Sequence, residues 1–383
     1  MLNKIAAVLL ILPLCISDVV APIYATDVVD VTGEAHVTSA DGLSVSAESA
    51  IVLEATTGDV VFEKDADTRR PMASTTKIMT AITALEAGDL DKKVSVPAEA
   101  VGVEGSSVYL EKGDSLSLND LVWALMLESA NDAAAAIAIE VAGSIEAFAE
   151  LMNEKAAEIG LCDTHFTNPH GLDNEDHYTT ARDLARLAVY ALKNEKFAEI
   201  VSTYKKTVEI DGETRYLLNH NKMLKLYDGA IGVKTGYTKR SGRCLVSAAE
   251  RDGVRLVAVT LNAPDDWRDH TAMLDAGFEC FERRELIREG ESVFIVPCIG
   301  SEKGEVLLSN HDALSAVVRK NTPDITRRIE LPRYMWAPVE EGDVVGRIVF
   351  VQDGVDIGEV PIFADETVER VVYKKGLLER IFG

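Results

Sequence analysis

Residues Pro71–Gly88 read PMASTTKIMTAITALEAG: a small hydroxyl residue, Ser74, stands three places ahead of Lys77, and a near-continuous apolar run follows. The run predicts a helix beginning at Ser74, and residues three apart on a helix lie on one face, a turn apart. Two readings compete for this stretch. Either it is a helix start with a solvated lysine, or Lys77 turns inward along the apolar stripe as a base beside a nucleophile. The rest of the chain has to decide.

The 383 residues suffice for one large core and a smaller second unit. Apolar residues at 47% and charged residues at 27% mark a folded globular protein rather than a disordered one. With 63 acidic against 39 basic residues the formal net charge is −24. That balance argues against nucleic acid as a partner, because phosphate binding needs a basic footprint. At the N-terminus Lys4 precedes the apolar run Ile5–Leu12, and small residues up to Ala25 offer a cleavage point. Residues 1–25 therefore read as an export signal, with the working domain outside the cytoplasm. Asp18 and Pro22 interrupt the run and weigh against the alternative, an uncleaved anchor. Cys15 leaves with such a signal. Cys162, Cys244, Cys280 and Cys298 are too sparse for a disulfide scaffold and read as buried free thiols.

Residues 26–44 are polar and without period, a linker. From Ser49, SAIVLEATTGDVVFEKD is a strand, a Thr57–Gly58–Asp59 turn and a second strand. After the helix at Ser74, the run Ser117–Gly143 is almost all helix former but breaks at Glu128–Asn131. Asn131 and Asp132 are expected to cap the alanine-rich helix that follows, leaving Ser129 in a tight junction between two buried helices. A further helix is expected over Ile145–Ile159, and Thr180 and Asp183 stand at capping-box spacing before another. Two strand-like runs, Arg243–Glu250 and Val254–Ala263, flank the turn signal Arg251–Asp252–Gly253. WRDHTAMLDAGFECFERREL, Trp267–Leu286, reads as a closing helix. Strands at both ends with helices between them predict an α/β (α+β) domain over residues 45–284, one mixed sheet covered by helices. Residues 288–364 are short β-rich runs with an Asp353–Gly354 hairpin, a second, all-β domain. In residues 365–383, Val368, Val371, Val372, Leu378 and Phe382 fall near one helical face. This tail reads either as a helix packed on its own domain or as an in-plane membrane anchor.

Ser-x-x-Lys alone is a poor signal; about one match arises by composition in a chain this long. Ser202–Lys205 is a second match, but it precedes a polar segment whose lysines are expected in water. Ser-x-Asn is as cheap: Ser117–Asn119 matches as well as Ser129–Asn131, although Ser117 reads as a helix cap. Lys-Thr-Gly is rarer and occurs once, as Lys234–Thr235–Gly236, where an edge strand is expected to begin. Context separates the sets: Ser74–Lys77, Ser129–Asn131 and Lys234–Gly236 follow one another within a single domain.

Together these motifs resemble the active-site serine penicillin-binding proteins, most closely the low-molecular-weight D-alanyl-D-alanine carboxypeptidases. PMASTTKIMTA, ESANDAAAAIA, THFTNPHGLDNEDHYTTARDLARLA, GVKTGYT and RDHTAMLDAGF are all similar to that family's stretches. The resemblance implies a β-lactamase-like catalytic domain with an antiparallel sheet covered by helices, then a small all-β domain. It implies Ser74 as nucleophile, Lys77 as its general base, and Ser129, Asn131 and Lys234 for proton shuttling and substrate positioning. Lys234, Thr235, Gly236 and Tyr237 then line the strand along which the peptide lies, with the Ser74 and Tyr237 N–H groups as oxyanion hole. The implied substrate is a peptidoglycan stem peptide ending in D-Ala-D-Ala, trimmed through an acyl-enzyme, with β-lactams as covalent inhibitors.

The chemistry suits those residue types. A serine hydroxyl needs a nearby base, and a lysine amine near pKa ~10.4 must be driven neutral by burial and by a second cation such as Lys234. Some features depart from the family. Tyr237 stands where some relatives carry histidine, and His220 stands near where some carry an arginine that assists carboxylate binding. Cys162, His165, His170 and His177, with Asp163 and Asp176, fit no tight zinc signature, so neither metal nor organic cofactor is expected. A class A β-lactamase shares the three motifs but needs a Glu-x-x-x-Asn segment that NPHGLDNEDHY does not supply. A wall endopeptidase and a non-catalytic penicilloyl-binding sensor remain as alternatives.

Overall fold

A computed structural model describes residues 42–321 and 325–372. The expected signal and most of the linker lie outside the described residues, as does the tail beyond Val372. The hairpin comes first, β1 (Ser49–Glu54) and β2 (Val60–Lys64). A 3-10 turn, Ala73–Thr76, leads into α1 (Lys77–Ala87). A small ribbon, β3 (Lys93–Ser95) with β4 (Ser115–Ser117), precedes α2 (Leu118–Leu127), α3 (Asn131–Ala142) and α4 (Ile145–Ile159). Then come α5 (Ala181–Leu192), α6 (Glu195–Ser202), the hairpin β5 (Lys205–Ile210) and β6 (Glu213–Leu218), and the short α7 (Met223–Leu226). Three long strands, β7 (Ala230–Thr238), β8 (Gly242–Arg251) and β9 (Val254–Leu261), lead to α8 (Asp266–Cys280).

One antiparallel sheet in the order β2-β1-β9-β8-β7 organises this unit. The chain ends meet inside it, with β1 beside β9 and Ile51 opposite Val259. β1 is buried along its whole length because both faces of the sheet are covered. Ile51 and Leu53 point into the core made with α1–α6, whereas Ala50 and Val52 point toward Met273 and Leu274 of α8, the alternation a strand imposes. The β8–β9 turn carries Asp252 at φ 51° and Gly253 at φ 77°, the pair of left-handed residues that a two-residue hairpin requires. β7, carrying Lys-Thr-Gly, is left as an edge.

Local signals explain the helix limits. Ser117 caps α2 by accepting the Asp120 N–H at 3.0 Å, and Thr180 caps α5 by accepting that of Asp183 at 3.0 Å. The expected cap on α3 is not made. Ala130 occupies that position, and Asn131 is instead the first helical residue, its side chain turned away to a lysine. Asp132 spends its carboxylate on the preceding loop, accepting the Ser107 hydroxyl at 2.6 Å and the Leu110 N–H at 3.0 Å.

The closing helix is shorter than expected. It stops at Cys280, and Phe281–Ile287 form β10, paired with β13 (Leu314–Arg319). A distant strand supplies that ladder, which overrides the helix preference of the Glu and Arg residues. Residues 281–284, expected in the larger domain, therefore pair with the smaller one. The remaining strands are β11 (Val293–Ile299), β12 (Glu305–Ser309), β14 (Thr326–Glu330), β15 (Met335–Trp336), β16 (Val344–Gln352) and β17 (Val355–Ala364). They form a sheet in the order β14-β16-β17-β12-β11-β15 over a core that includes Leu308, Phe350 and Ile362. Arg319 reaches back to Asp59 at 2.9 Å, and Lys320 to the Phe278 carbonyl at 2.9 Å, joining the two units.

Residues 365–372 are not helical. Val368 makes an antiparallel bridge to Val339, and the Val371 N–H bonds the Gly300 carbonyl at 2.7 Å. Those backbone groups are paired with Val339 and Gly300 before a helix can claim them. All four cysteines among the described residues are free; Cys244 and Cys298 are buried, but Cys280 is only half-buried and Cys162 is exposed. Among the described residues no helix is long and apolar enough to cross a membrane.

Candidate active site

Ser74 lies in the 3-10 turn just ahead of α1, at the floor of a cleft of about 360 Å³ that Ser129, Thr235, Gly236 and Tyr237 also line. The turn is held under strain. Ala73 has φ 48°, a left-handed conformation costing on the order of 1–3 kcal/mol in a residue with a Cβ. Thr76 fixes it from below, donating its hydroxyl to the Ala73 carbonyl at 2.8 Å. Behind Thr76 stands buried His177. Its Nδ1 accepts the Thr167 N–H at 3.0 Å, so the proton of the neutral ring sits on Nε2, 2.7 Å from the Thr76 oxygen. Burial, and then the charges of His165 and Lys77, hold His177 neutral down to about pH 4.

Lys77 is fully buried, with 0% of its surface exposed. Its amine lies 3.0 Å from Ser74 Oγ, 2.6 Å from Asn131 Oδ1 and 2.6 Å from the His170 carbonyl. Asn131 is oriented by its own amide, which donates to the Glu104 carbonyl at 2.5 Å. Burial pushes the Lys77 pKa far down, the neighbouring Lys234 pushes it further, and Asp132 opposes them weakly. A neutral amine has two N–H donors and one lone pair. The carbonyl oxygens of Asn131 and His170 only accept, so they take both hydrogens. The lone pair is left for the Ser74 hydroxyl proton, the arrangement a general base requires.

Lys234 is 2% exposed, donates to the Thr235 carbonyl at 3.0 Å, and is brought by burial to a pKa of about 7. Gly236 brings the edge of β7 against Ser74. A Cβ there would lie 3.0 Å from the Ser74 nitrogen and 3.1 Å from the Met72 carbonyl oxygen. Ser129, at φ 59°, is turned into the cleft from the α2–α3 junction. Tyr237 is 67% exposed at the mouth. Thus the residues singled out from the three motifs converge, and the second Ser-x-x-Lys does not: Ser202 is exposed at the end of α6.

What sequence reasoning missed in the loop between α4 and α5 is the work of its backbone carbonyls. The loop supplies the His170 carbonyl to Lys77 and the Pro169 carbonyl to Thr80 at 2.6 Å. Backbone acceptors leave no side-chain signature; the one available sign was Gly171. It sits at φ 86°, and a Cβ would fall 2.0 Å from the Ala73 carbonyl oxygen. Also unforeseen were Ser106, Lys222, Arg243, Asp266 and Trp267 in the cleft wall. His220 lines it too, with Nε2 3.2 Å from Glu128. The histidines weighed as metal ligands make other bonds, His165 to the Asp176 carbonyl and His177 to Thr76 in the turn that carries Ser74. Among the described residues no cluster of three or more His, Cys, Asp or Glu is arranged to hold a metal. A larger cleft, about 520 Å³, separates the two units near Arg283 and Asp356, away from this chemistry.

The sequence pattern of a family described as D-alanyl-D-alanine carboxypeptidase matches residues 34–265, and that of the penicillin-binding protein 5 C-terminal domain matches residues 281–370. The chain belongs to the D-alanyl-D-alanine carboxypeptidase family. It is 32% identical to D-alanyl-D-alanine carboxypeptidase DacF of Bacillus subtilis, over 86% of this chain and 87% of that protein. It is 33% identical to DacC of Escherichia coli over 85% of each. Among solved structures, penicillin binding protein 5 from Haemophilus influenzae superposes with a TM-score of 0.65 at 26% identity, over 85% of this chain and 98% of that one. The family's two-unit layout is the one described above.

Two outcomes test this geometry. Gly171→Ala forces the loop off the nucleophile's turn, and a misplacement near 1 Å is expected to slow acylation of Ser74 by a fluorescent penicillin about 10²-fold; an unchanged rate would remove the loop from the site. The second concerns Lys234, whose folded pKa of about 7 is below its ordinary 10.5. Between about pH 7 and 9 the unfolded chain holds a proton there that the folded chain has lost, so stability rises with pH across that window. Above it the raised Cys244 pKa works in the opposite direction. Urea unfolding from pH 7 to 8.5 is expected to show the rise, to which the lowered Lys77 pKa contributes with the same sign, and Lys234→Met to make it shallower without abolishing it.

Proposed function

We propose that Ser74 is the nucleophile, Lys77 its base, and the scissile bond that of a terminal D-Ala-D-Ala unit in a peptidoglycan stem pentapeptide. The observation that carries this reading is the Lys77 amine, buried 3.0 Å from Ser74 Oγ with carbonyl oxygens on both of its hydrogens. The peptide lies along the free edge of β7. Its penultimate carbonyl meets the Ser74 and Tyr237 N–H groups, whose dipoles stabilise the tetrahedral oxygen. Ser74 gives its proton to Lys77 as it attacks. Ser129, which lines the cleft with Ser74, relays to the departing D-alanine nitrogen the proton that Lys77 took, leaving Lys77 neutral again. Water then attacks the acyl-enzyme, Lys77 again taking the proton and handing it to the departing Ser74 oxygen, which frees the shortened peptide and restores the serine. Lys234 and Thr235 face the terminal carboxylate. A β-lactam acylates the same serine.

The protein is a serine D-alanyl-D-alanine carboxypeptidase of the penicillin-binding type, favoured over the endopeptidase and sensor alternatives by the family match and the relatives named above. Lys77→Arg replaces a base that can be neutral with a guanidinium that stays charged. It is expected to lower D-alanine release from diacetyl-lysyl-D-alanyl-D-alanine by about 10²–10⁴-fold, and Ser74→Ala to abolish both release and penicillin labelling. Labelling of the wild type without any D-alanine release would instead favour the sensor.

Export through residues 1–25, and contact of residues 373–383 with the outer face of the membrane, belong to the same reading. They are supported by the apolar run after Lys4 and by Leu378 and Phe382 in the tail. Deleting 373–383 is expected to move the protein from the membrane to the soluble fraction of an expressing cell; an unchanged distribution would count against the tail.

A further inference from the structure

The cleft wall holds one guanidinium among the described residues, that of Arg243. It is fixed from behind. Asp266, with a side chain only 4% exposed, accepts Arg243 Nη2 at 2.9 Å and is itself pinned by the Trp267 N–H at 2.9 Å. The Trp267 ring lies 5.8 Å from the guanidinium carbon. No other side-chain hydrogen bond of Arg243 is present among the described residues, and 43% of its side chain is open. A planar donor fork clamped on one side and open on the other is suited to a carboxylate, which it can bind with two parallel bonds.

Position along the strand says which carboxylate. Thr235 pairs with Leu245 and Tyr237 with Arg243, so Arg243 stands two residues beyond Thr235, about 7 Å along β7. In the reading above, on which this step rests, the terminal carboxylate is at Lys234–Thr235 and the scissile carbonyl at Tyr237. Beyond Tyr237 lies the acyl part of the peptide. We propose that Arg243, positioned by Asp266, receives a carboxylate carried on the acyl side of the substrate. The preferred stem peptides are then those whose third residue is a diamino dicarboxylic acid rather than lysine.

The test compares kcat/KM for D-alanine release from two peptides that differ only at the third residue, one bearing lysine and one bearing a diaminopimelate with its side-chain carboxylate free. Wild-type protein is expected to favour the second by about 10-fold or more, the factor of a charge-assisted hydrogen bond. Arg243→Gln is expected to bring the ratio near one, and Arg243→Lys to leave it intermediate. Taking a ratio cancels any general damage to folding or chemistry. A guanidinium serving the terminal carboxylate, which both peptides share, would leave the ratio at its wild-type value, and that result overturns the proposal. So does a wild type with no preference. If the wild type releases D-alanine from neither peptide, the carboxypeptidase reading is what fails. Calorimetric binding of the same two peptides to the Ser74→Ala protein, with and without Arg243→Gln, then decides the assignment of Arg243.

Discussion

The site depends on an amine that is kept uncharged. Lys77 lies at the start of α1 beneath a core of alanine, leucine and isoleucine side chains, and burial is the largest influence on its pKa. An ammonium there is costly to desolvate, whereas a neutral amine is tolerated once its polar atoms are partnered. The fold provides partners of one kind, carbonyl oxygens, from two separate places: the α2–α3 junction through Asn131 and the loop before α5 through His170. Both must be in position together. That requirement ties the helical subdomain, the loop and the edge strand to one side chain.

Much of this was legible in the sequence, for identifiable reasons. Helices with hydroxyl caps, hairpins with Asp-Gly turns and the three motif segments carry their information locally, and a sheet covered by helices follows from burying their apolar faces. The failures are non-local. Asn131 sits at cap spacing, yet a buried lysine from another helix is the stronger partner, so the cap is forgone. Phe281–Ile287 has helix-forming residues, but β13, some thirty residues on, completes its ladder. Val368 and Val371 share a helical face in sequence while their backbones are already claimed by Val339 and Gly300. The His170 and Glu104 carbonyls could not be seen, because any residue has a carbonyl.

Strain and its support form a second layer. Ala73 adopts a conformation that glycine would enter at no steric cost, and its carbonyl is what Gly171 packs against. The chain of Thr167, His177 and Thr76 ends on that carbonyl. Each link donates in one direction only while the imidazole is neutral. A protonated ring would put a hydrogen on Nδ1 facing the Thr167 N–H, donor against donor. Burial of His177 thus does for the turn what burial does for the Lys77 amine: it favours the protonation state in which every hydrogen bond has a donor and an acceptor.

The nearest buried carboxylate makes the same point from the other side. A carboxylate against Lys77 would stabilise the ammonium and take away the free lone pair. Asp132 is adjacent to Asn131 in sequence and also buried, yet its upward pull on the Lys77 pKa ranks behind the downward pushes of burial and Lys234. Its oxygens are occupied by the Ser107 hydroxyl and by the N–H groups of Val108, Leu110 and Ala133. Those four donors satisfy the charge locally and, in doing so, hold the loop that carries Ser106 into the cleft wall. Asn131 presents to Lys77 an oxygen without a formal charge. One residue of difference along α3 therefore separates a structural anion from a neutral acceptor. That separation lets an acidic protein keep a free amine at its centre.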